Sequence, residues 1–417
     1  MGLMALDAVL LWCLSVPVVM GYRILPIEGT PYWLFGIVFL LLTVHLLVSL
    51  TPSFIGSAKT LGRFKSFSVW AALAIVLGGT MVTAMVDRSK VAPVWGVHDI
   101  ILQQEAAMRY LTVGKNPYKE TYFGTPVESF NYDEPDNPEA INPALYHFVM
   151  PPWYVLFPFP FYVVANRAVG FFDGRMPLLF LITAMLGMLY FWFKDKTLGR
   201  IAIILTALSP AVVDYTIEGR SDLFALAWLV GALFLLARKR PILAGIVFGL
   251  ALLSKQTIWF AAPFFAVLAW KWEKKHVAGI LLSSLATVVV IAGPFIAWDP
   301  KAFVDSVIFY LSGNSATSFP VSGYGLSMVL RDMGIIRNIH AYYPFIVWQA
   351  ILGIPVLFFA LRHLIKHATV STFFITYGVT LGVVWYASRY FNNSHVAFLS
   401  SLFILGVLFA MDEGAKT

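Results

Sequence analysis

Charge is scarce in this chain. Only 12% of its 417 residues are Asp, Glu, Lys or Arg, 59% are hydrophobic, and the mean hydropathy is +0.78. A soluble domain carries roughly 25% charged and 45–50% apolar residues, so that class is excluded. Cysteine is nearly absent. The single Cys13 lies in an apolar run, which excludes an intrachain disulfide and a cysteine metal cluster. HExxH, a Walker-type phosphate loop and GxSxG are also missing, so zinc-protease, nucleotide-triphosphatase and serine-hydrolase chemistries have no motif to rest on. The eight histidines are scattered, and no internal repeat or low-complexity tract is evident.

What the chain does have is apolar runs. About 20 apolar residues cross a bilayer as a helix. Twelve candidates fall near Met4–Gly21, Tyr32–Leu50, Ser66–Met85, Met176–Phe193, Ile201–Thr216, Asp222–Ala237, Pro241–Leu253, Ile258–Trp270, Val277–Ala297, Tyr343–Leu361, Thr369–Tyr386 and Val396–Met411. The two around 241–270 are short enough to be tilted or broken. The start of the first run, Met1 to Asp7, carries an acid and no Lys or Arg, and no small-residue cleavage site follows Val19, so it reads as a retained span. The expectation is an all-α polytopic membrane protein of about 12 transmembrane helices in a single domain. Two N-terminal spans occupy 1–66, a large extracytoplasmic loop 87–175, and the remaining spans 176–411.

Phe148–Phe172 is a thirteenth hydrophobic stretch, interrupted by Pro151, Pro152, Pro158 and Pro160 and bearing Trp153, Tyr154 and Tyr162. Interior prolines break helices and aromatics favour the headgroup level, so Pro152–Gly170 reads as a juxtamembrane segment on the outer face. A Pro-kinked span is the alternative. With the stretch kept out of the membrane, fourteen cations fall in short cytoplasmic loops: Lys59, Arg63, Lys65, Lys194, Lys196, Arg200, Arg238, Lys239, Arg240, Lys271, Lys274, Lys275, Arg362 and Lys366. Only four, Arg23, Arg220, Lys255 and Arg389, fall in short outer ones. The positive-inside rule then places both termini in the cytoplasm and the 87–175 loop, with 10 of the 22 acids, outside a plasma membrane. Net charge of +7 fits anionic lipid rather than nucleic acid.

Ionisable residues at the outer ends of these runs are the functional candidates, because charge there is costly unless used. His98-Asp99 precedes a short helical pattern in which Asp99 and Gln103 share a face at i and i+4, followed by Glu105. Asp99 suits either a helix N-terminus or a general base. Arg220, Ser221 and Asp222 form the next outer turn. There Ser221 or Asp222 can cap the following helix, while the Arg220 guanidinium suits a phosphate. Lys255 either snorkels to headgroups or contacts an anionic lipid. Arg389 and His395 close the set in the last outer turn. Asp133, Glu134, Asp136 and Glu139 form a solvated acidic face whose oxygens could hold a divalent ion, although no metal or other cofactor is expected.

On these residues the chain resembles the GT-C superfamily, polytopic glycosyltransferases that take sugar from a polyprenyl-phosphate donor. The resemblance runs from His98-Asp99 through Glu105-Ala-Ala, Gly114-Lys-Asn-Pro-Tyr118, Met150-Pro-Pro-Trp-Tyr154, Gly219-Arg-Ser-Asp222 and Ala244-Gly-Ile-Val-Phe-Gly249 to Lys255, and ends at Arg389-Tyr390. It is closest to the polyprenyl-phosphate-mannose-dependent mannosyltransferases. Spans 1 and 2 are extra relative to the usual start. The resemblance implies inverting transfer at the outer face to a lipid or glycan acceptor, with Asp99 as base and Asp222 as a second acid orienting acceptor or base. Arg220, Lys255, Arg389 and His395 would hold the donor phosphate, and His98, Gln103 and Glu105 would contact substrate. A lipid-linked sugar flippase or transporter is the rival reading, and an assembly subunit without chemistry a third.

Overall fold

The computed structural model describes residues 2–24, 29–51, 57–134, 140–315 and 317–414, with side chains from Ala5 onward. Helix dominates. The one sheet among the described residues is a parallel pairing of Ser322–Gly323 with Tyr390–Phe391. Each of the twelve expected runs is helical over most of its length, and the chain is an all-α polytopic membrane protein. Among the described residues, seven helices are long and apolar enough to cross a bilayer alone: Ala5–Tyr22, Tyr32–Leu50, Ala58–Lys90, Arg175–Trp192, Val277–Trp298, Phe345–Lys366 and Asn393–Gly414. Lys196–Leu208, Asp222–Ala237, Pro241–Leu252, Ala262–Trp272 and Val370–Tyr386 are shorter.

Two of the expected runs are interrupted. Ile201–Thr216 stops at Leu208 and resumes as Val213–Ile217, because Pro210 lacks an N–H and pushes Ser209 out of the helical region. Ile258–Trp270 opens as a 3₁₀ turn, Gln256–Ala261, before the helix begins with Pro263 in its first turn.

Burial separates the centre from the rim. Asp222–Ala237 is buried on nearly every face and packs against Arg175–Trp192 and Pro241–Leu252. Tyr32–Leu50 and Phe345–Lys366 bury few residues and present Leu40, Leu47, Ile354 and Phe359 outward, as lipid-facing helices do. Helix Pro241–Leu252 meets Val277–Trp298 through Gly245 and Gly249. A Cβ there would come within 2.3 Å of the Ile280 carbonyl oxygen and 2.7 Å of that of Ser284, the close backbone approach that small residues four apart permit in membranes. The first helix joins the bundle through Asp7, whose carboxylate takes Lys65 at 2.7 Å and also pairs with Arg200.

The Phe148–Phe172 stretch is broken at Pro158 into Trp153–Leu156 and Phe159–Val169. The second piece has 11 residues and buries none of them. At about 1.5 Å per residue it falls well short of the roughly 30 Å of a bilayer core.

Candidate active site

Three segments between the long helices converge. Helix Asp99–Thr112 begins behind His98, whose backbone N–H donates to the Glu218 carbonyl at 2.9 Å, tying this helix start to the next turn. Gly219 makes that turn possible. Its φ is +84°, and a Cβ would lie 2.7 Å from Ile101 Cγ1 and 2.9 Å from Arg175 Cγ, so only glycine fits without strain. The Pro-rich segment then docks on the Lys255 turn. Trp153 N–H donates to the Leu253 carbonyl at 3.0 Å, and Gln256 Nε2 donates to the carbonyls of Val149 and Val307 at 2.6 and 3.1 Å.

Between these segments lies a cavity of about 280 Å³. Asp99, His98, Gln103, Arg220, Asp222, Lys255 and His395 all line it, although they are spread over almost 300 residues of chain. Asp99 Oδ1 is 2.7 Å from His98 Nδ1, and Asn142 Nδ2 reaches Oδ2 at 3.5 Å. Burial pushes this carboxyl up. The charge and hydrogen bond of His98, with Asn142 and Arg220, outweigh that and hold Asp99 below the ordinary carboxylate value. Lys255 Nζ pairs with Asp222 Oδ1 at 2.6 Å. Asp222 therefore contacts a cation rather than standing free beside the base. An ammonium has three donors, so Lys255 keeps N–H groups for another partner. Arg220 lies over the Tyr215 ring at 4.3 Å and bonds Glu218 through Nε at 3.1 Å. His395 Nδ1 accepts the Asn392 N–H at 3.0 Å, so in the neutral ring the proton sits on Nε2 as a donor. Gln103 lines the cavity too, but its Nε2 is engaged by the carbonyls of Ala144 and His147.

Two of the expected residues are elsewhere. Glu105 turns away from the cavity into a buried ionic cluster. Arg88 grips it with two bonds of 2.8 and 2.7 Å, Gly174 N–H donates to it at 3.0 Å, and Arg88 also reaches Asp173 at 2.9 Å. Its carboxylate ties the middle of helix Asp99–Thr112 to Arg88, near the end of helix Ala58–Lys90, and to Gly174, and does not line the cavity. Arg389 is 2% exposed. All three of its side-chain bonds go to backbone carbonyls, Phe319 through Nε, Ala341 at 2.9 Å and Ile339 at 2.8 Å, so its guanidinium fastens the 319–341 segment and does not line the cavity. In the acidic face, Asp133 accepts from Asn131 and Glu134 from His340. Asp136 and Glu139 lie outside the described residues. No group of three metal-ligating side chains forms among the described residues.

Tyr132, Tyr310, Tyr390, Gln256 and Asn392 also line the cavity; apart from Tyr390, which belongs to the Arg389-Tyr390 resemblance, they had no signal in the sequence, since neutral side chains in a loop cost nothing. Burial, then the charges of Glu134 and Asp99, raises Tyr132. Burial and Asp99 raise Tyr310, while burial and Asp222 raise Tyr390. All three phenols therefore remain hydrogen-bond donors at neutral pH.

No curated protein and no solved structure matches the chain. The model of glycosyltransferase family 87 matches residues 148–411, which is 264 of the 417 residues and includes Arg220, Asp222, Lys255 and His395 but not Asp99. The chain belongs to that family of GT-C-type membrane glycosyltransferases.

Proposed function

We propose that this family 87 glycosyltransferase moves a sugar, mannose by the resemblance drawn above, from a polyprenyl-phosphate donor to a hydroxyl of a lipid or glycan acceptor at the outer face of the plasma membrane. The carrying observation is one cavity lined by an ionised carboxylate, Asp99, together with Lys255, Arg220 and the Nε2–H of His395. The acceptor oxygen attacks the anomeric carbon while the bond from that carbon to the phosphate oxygen breaks. The electron pair of that bond leaves on the phosphate, and the acceptor proton passes to Asp99, so configuration inverts. Lys255, oriented by Asp222, stabilises the charge that grows on the departing phosphate, with Arg220 and His395 as further donors. Lipid phosphate leaves without being protonated, so one carboxylate suffices where a glycosidase needs two.

An apolar groove supports a lipid donor. About 410 Å³ in size, it is lined by Trp259, Phe260, Gly353, Leu357 and Val384. It begins three residues beyond Gln256 of the reaction cavity, where an isoprenoid tail would lie while its phosphate stays at Lys255. The cation distribution supports an outer-face site with both termini in the cytoplasm.

The test is transfer from radiolabelled polyprenyl-phosphate-mannose by purified protein in nanodiscs, with the host's lipids and glycans as acceptor. Wild type should transfer, and Asp99→Asn should lose roughly two orders of magnitude or more. Full activity in Asp99→Asn would remove Asp99 from the mechanism. No transfer from any polyprenyl-phosphate sugar, with protein-dependent movement of labelled lipid across vesicles, would replace the reading by a flippase.

A further inference from the structure

A second cavity adjoins the first. It holds about 410 Å³ and shares Tyr132, Arg220, Phe319 and Asn392 with the reaction cavity, so these four side chains stand between the two. Its own wall carries Glu134, Asn393, Ser322, Tyr215, Tyr324 and Arg331. The lining is mixed in sign and rich in phenols and amides, unlike the apolar groove behind Lys255.

Glu134 is the telling residue. Its side chain is 4% exposed, and one oxygen takes His340 Nε2 at 2.9 Å. The other, Oε2, is buried with no hydrogen-bond partner among the described residues. An unpaired buried carboxylate oxygen is costly unless a ligand hydroxyl completes it. Nearby, Tyr324 is 68% exposed although it is a large aromatic, a ring face without protein against it.

We propose that this cavity is the acceptor site, and that it takes an uncharged glycan at least two sugars long. The terminal hydroxyl enters the reaction cavity past Arg220 and Asn392, and the preceding sugars lie outside it. Polyhydroxyl ligands match this chemistry. Their C–H faces lie on aromatic rings such as Tyr324, and their hydroxyls donate to Glu134 Oε2 and exchange bonds with the amide of Asn393. Asp133 and Glu134 are matched in the lining by Arg220 and Arg331, so the wall holds no excess of positive charge to draw an anionic acceptor. This inference rests on the glycosyl-transfer reading for its role, but the binding itself can be tested apart from turnover.

The experiment is saturation-transfer NMR on the full chain in nanodiscs, titrated with manno-, gluco- and arabino-oligosaccharides of one to six units. In at least one series, affinity should rise about tenfold from one unit to three, the size of one or two added hydrogen bonds, and then level off. Glu134→Gln and Tyr324→Ala should each weaken binding about five- to tenfold. Tyr342→Ala, outside both cavities, should not. Absence of binding in every series, or binding indifferent to both substitutions, overturns the proposal. Release of polyprenyl phosphate by wild type, with water as acceptor, is followed in parallel. Glu134-dependent binding without donor turnover supports the site while removing the transfer reading. Donor turnover without any glycan binding overturns the site alone.

Discussion

Lys255 Nζ stands 2.6 Å from Asp222 Oδ1, and both side chains are largely buried, at 15% and 10% exposure. Asp222 is the first residue of a helix deep in the bundle, and Lys255 belongs to the turn between two short helices. The pair thus fixes a cation at the cavity by means of a helix that buries 12 of its 16 residues.

If Asp222 acts through Lys255, their losses overlap. Lys255→Met should raise the KM for the lipid-phosphate donor by about tenfold or more, and Asp222→Asn by less. The double variant should be no worse than Lys255→Met alone, a coupling of about 1–3 kcal/mol. Steady-state kinetics on the three variants gives the answer, and strictly additive losses would show that the two residues serve separate roles.

The pH profile reports on the neighbour of Asp99. Because its carboxyl lies below the ordinary value, Asp99 stays ionised through the neutral range, and if it is the base, the acid limb of kcat/KM falls below the ordinary carboxylate range. The stability it lends is present above its unfolded value and is lost as pH falls through the lowered folded one. In His98→Gln burial is opposed only by Asn142 and Arg220, so the carboxyl rises and the acid limb moves to higher pH. An unmoved limb would separate His98 from the base.

Arg389 should behave as a fastener. Arg389→Lys exchanges three carbonyl contacts for a single point donor. It should cost about 3 kcal/mol or more of stability, read as a lower melting temperature in detergent, with donor KM unchanged in the folded protein. A stable variant with a much higher donor KM would restore Arg389 to the phosphate.

Gly219→Ala tests the turn that carries Arg220. With φ at +84° and Ile101 Cγ1 2.7 Å from the new methyl, the substitution should destabilise by about 1–3 kcal/mol. It should also weaken activity through displacement of Arg220. An unchanged melting temperature would contradict the steric argument.

The helices were legible from the sequence because a bilayer demands long apolar runs. The prolines that break them, Pro158 and Pro210, were equally visible, although the break at Pro210 was not expected. Asp99, Arg220, Asp222, Lys255 and His395 stood out because ionisable groups at the ends of such runs are expensive, and the fold brings them to one cavity. Glu105 and Arg389 carried the same signal with a different outcome. Their charges are absorbed by Arg88 and by carbonyls 48 to 70 residues away along the chain, and pairings across such separations leave no local pattern. Tyr132, Gln256 and Asn392 had no cost to betray them.

The 12-residue helix Pro241–Leu252 has a consequence for the bilayer itself. It rises about 18 Å, while Arg238, Lys239 and Arg240 at its start seek the headgroup boundary. That rise is short of a hydrocarbon slab of roughly 30 Å, so the turn after Leu252 that carries Lys255 lies below the level a full-length helix would reach. On the function proposed above, a donor phosphate would meet Lys255 there without its tail leaving the bilayer. Membrane thickness should then be a determinant of the rate: in nanodiscs of longer acyl chains, this short helix would hold the cavity further from the headgroups of the proposed donor.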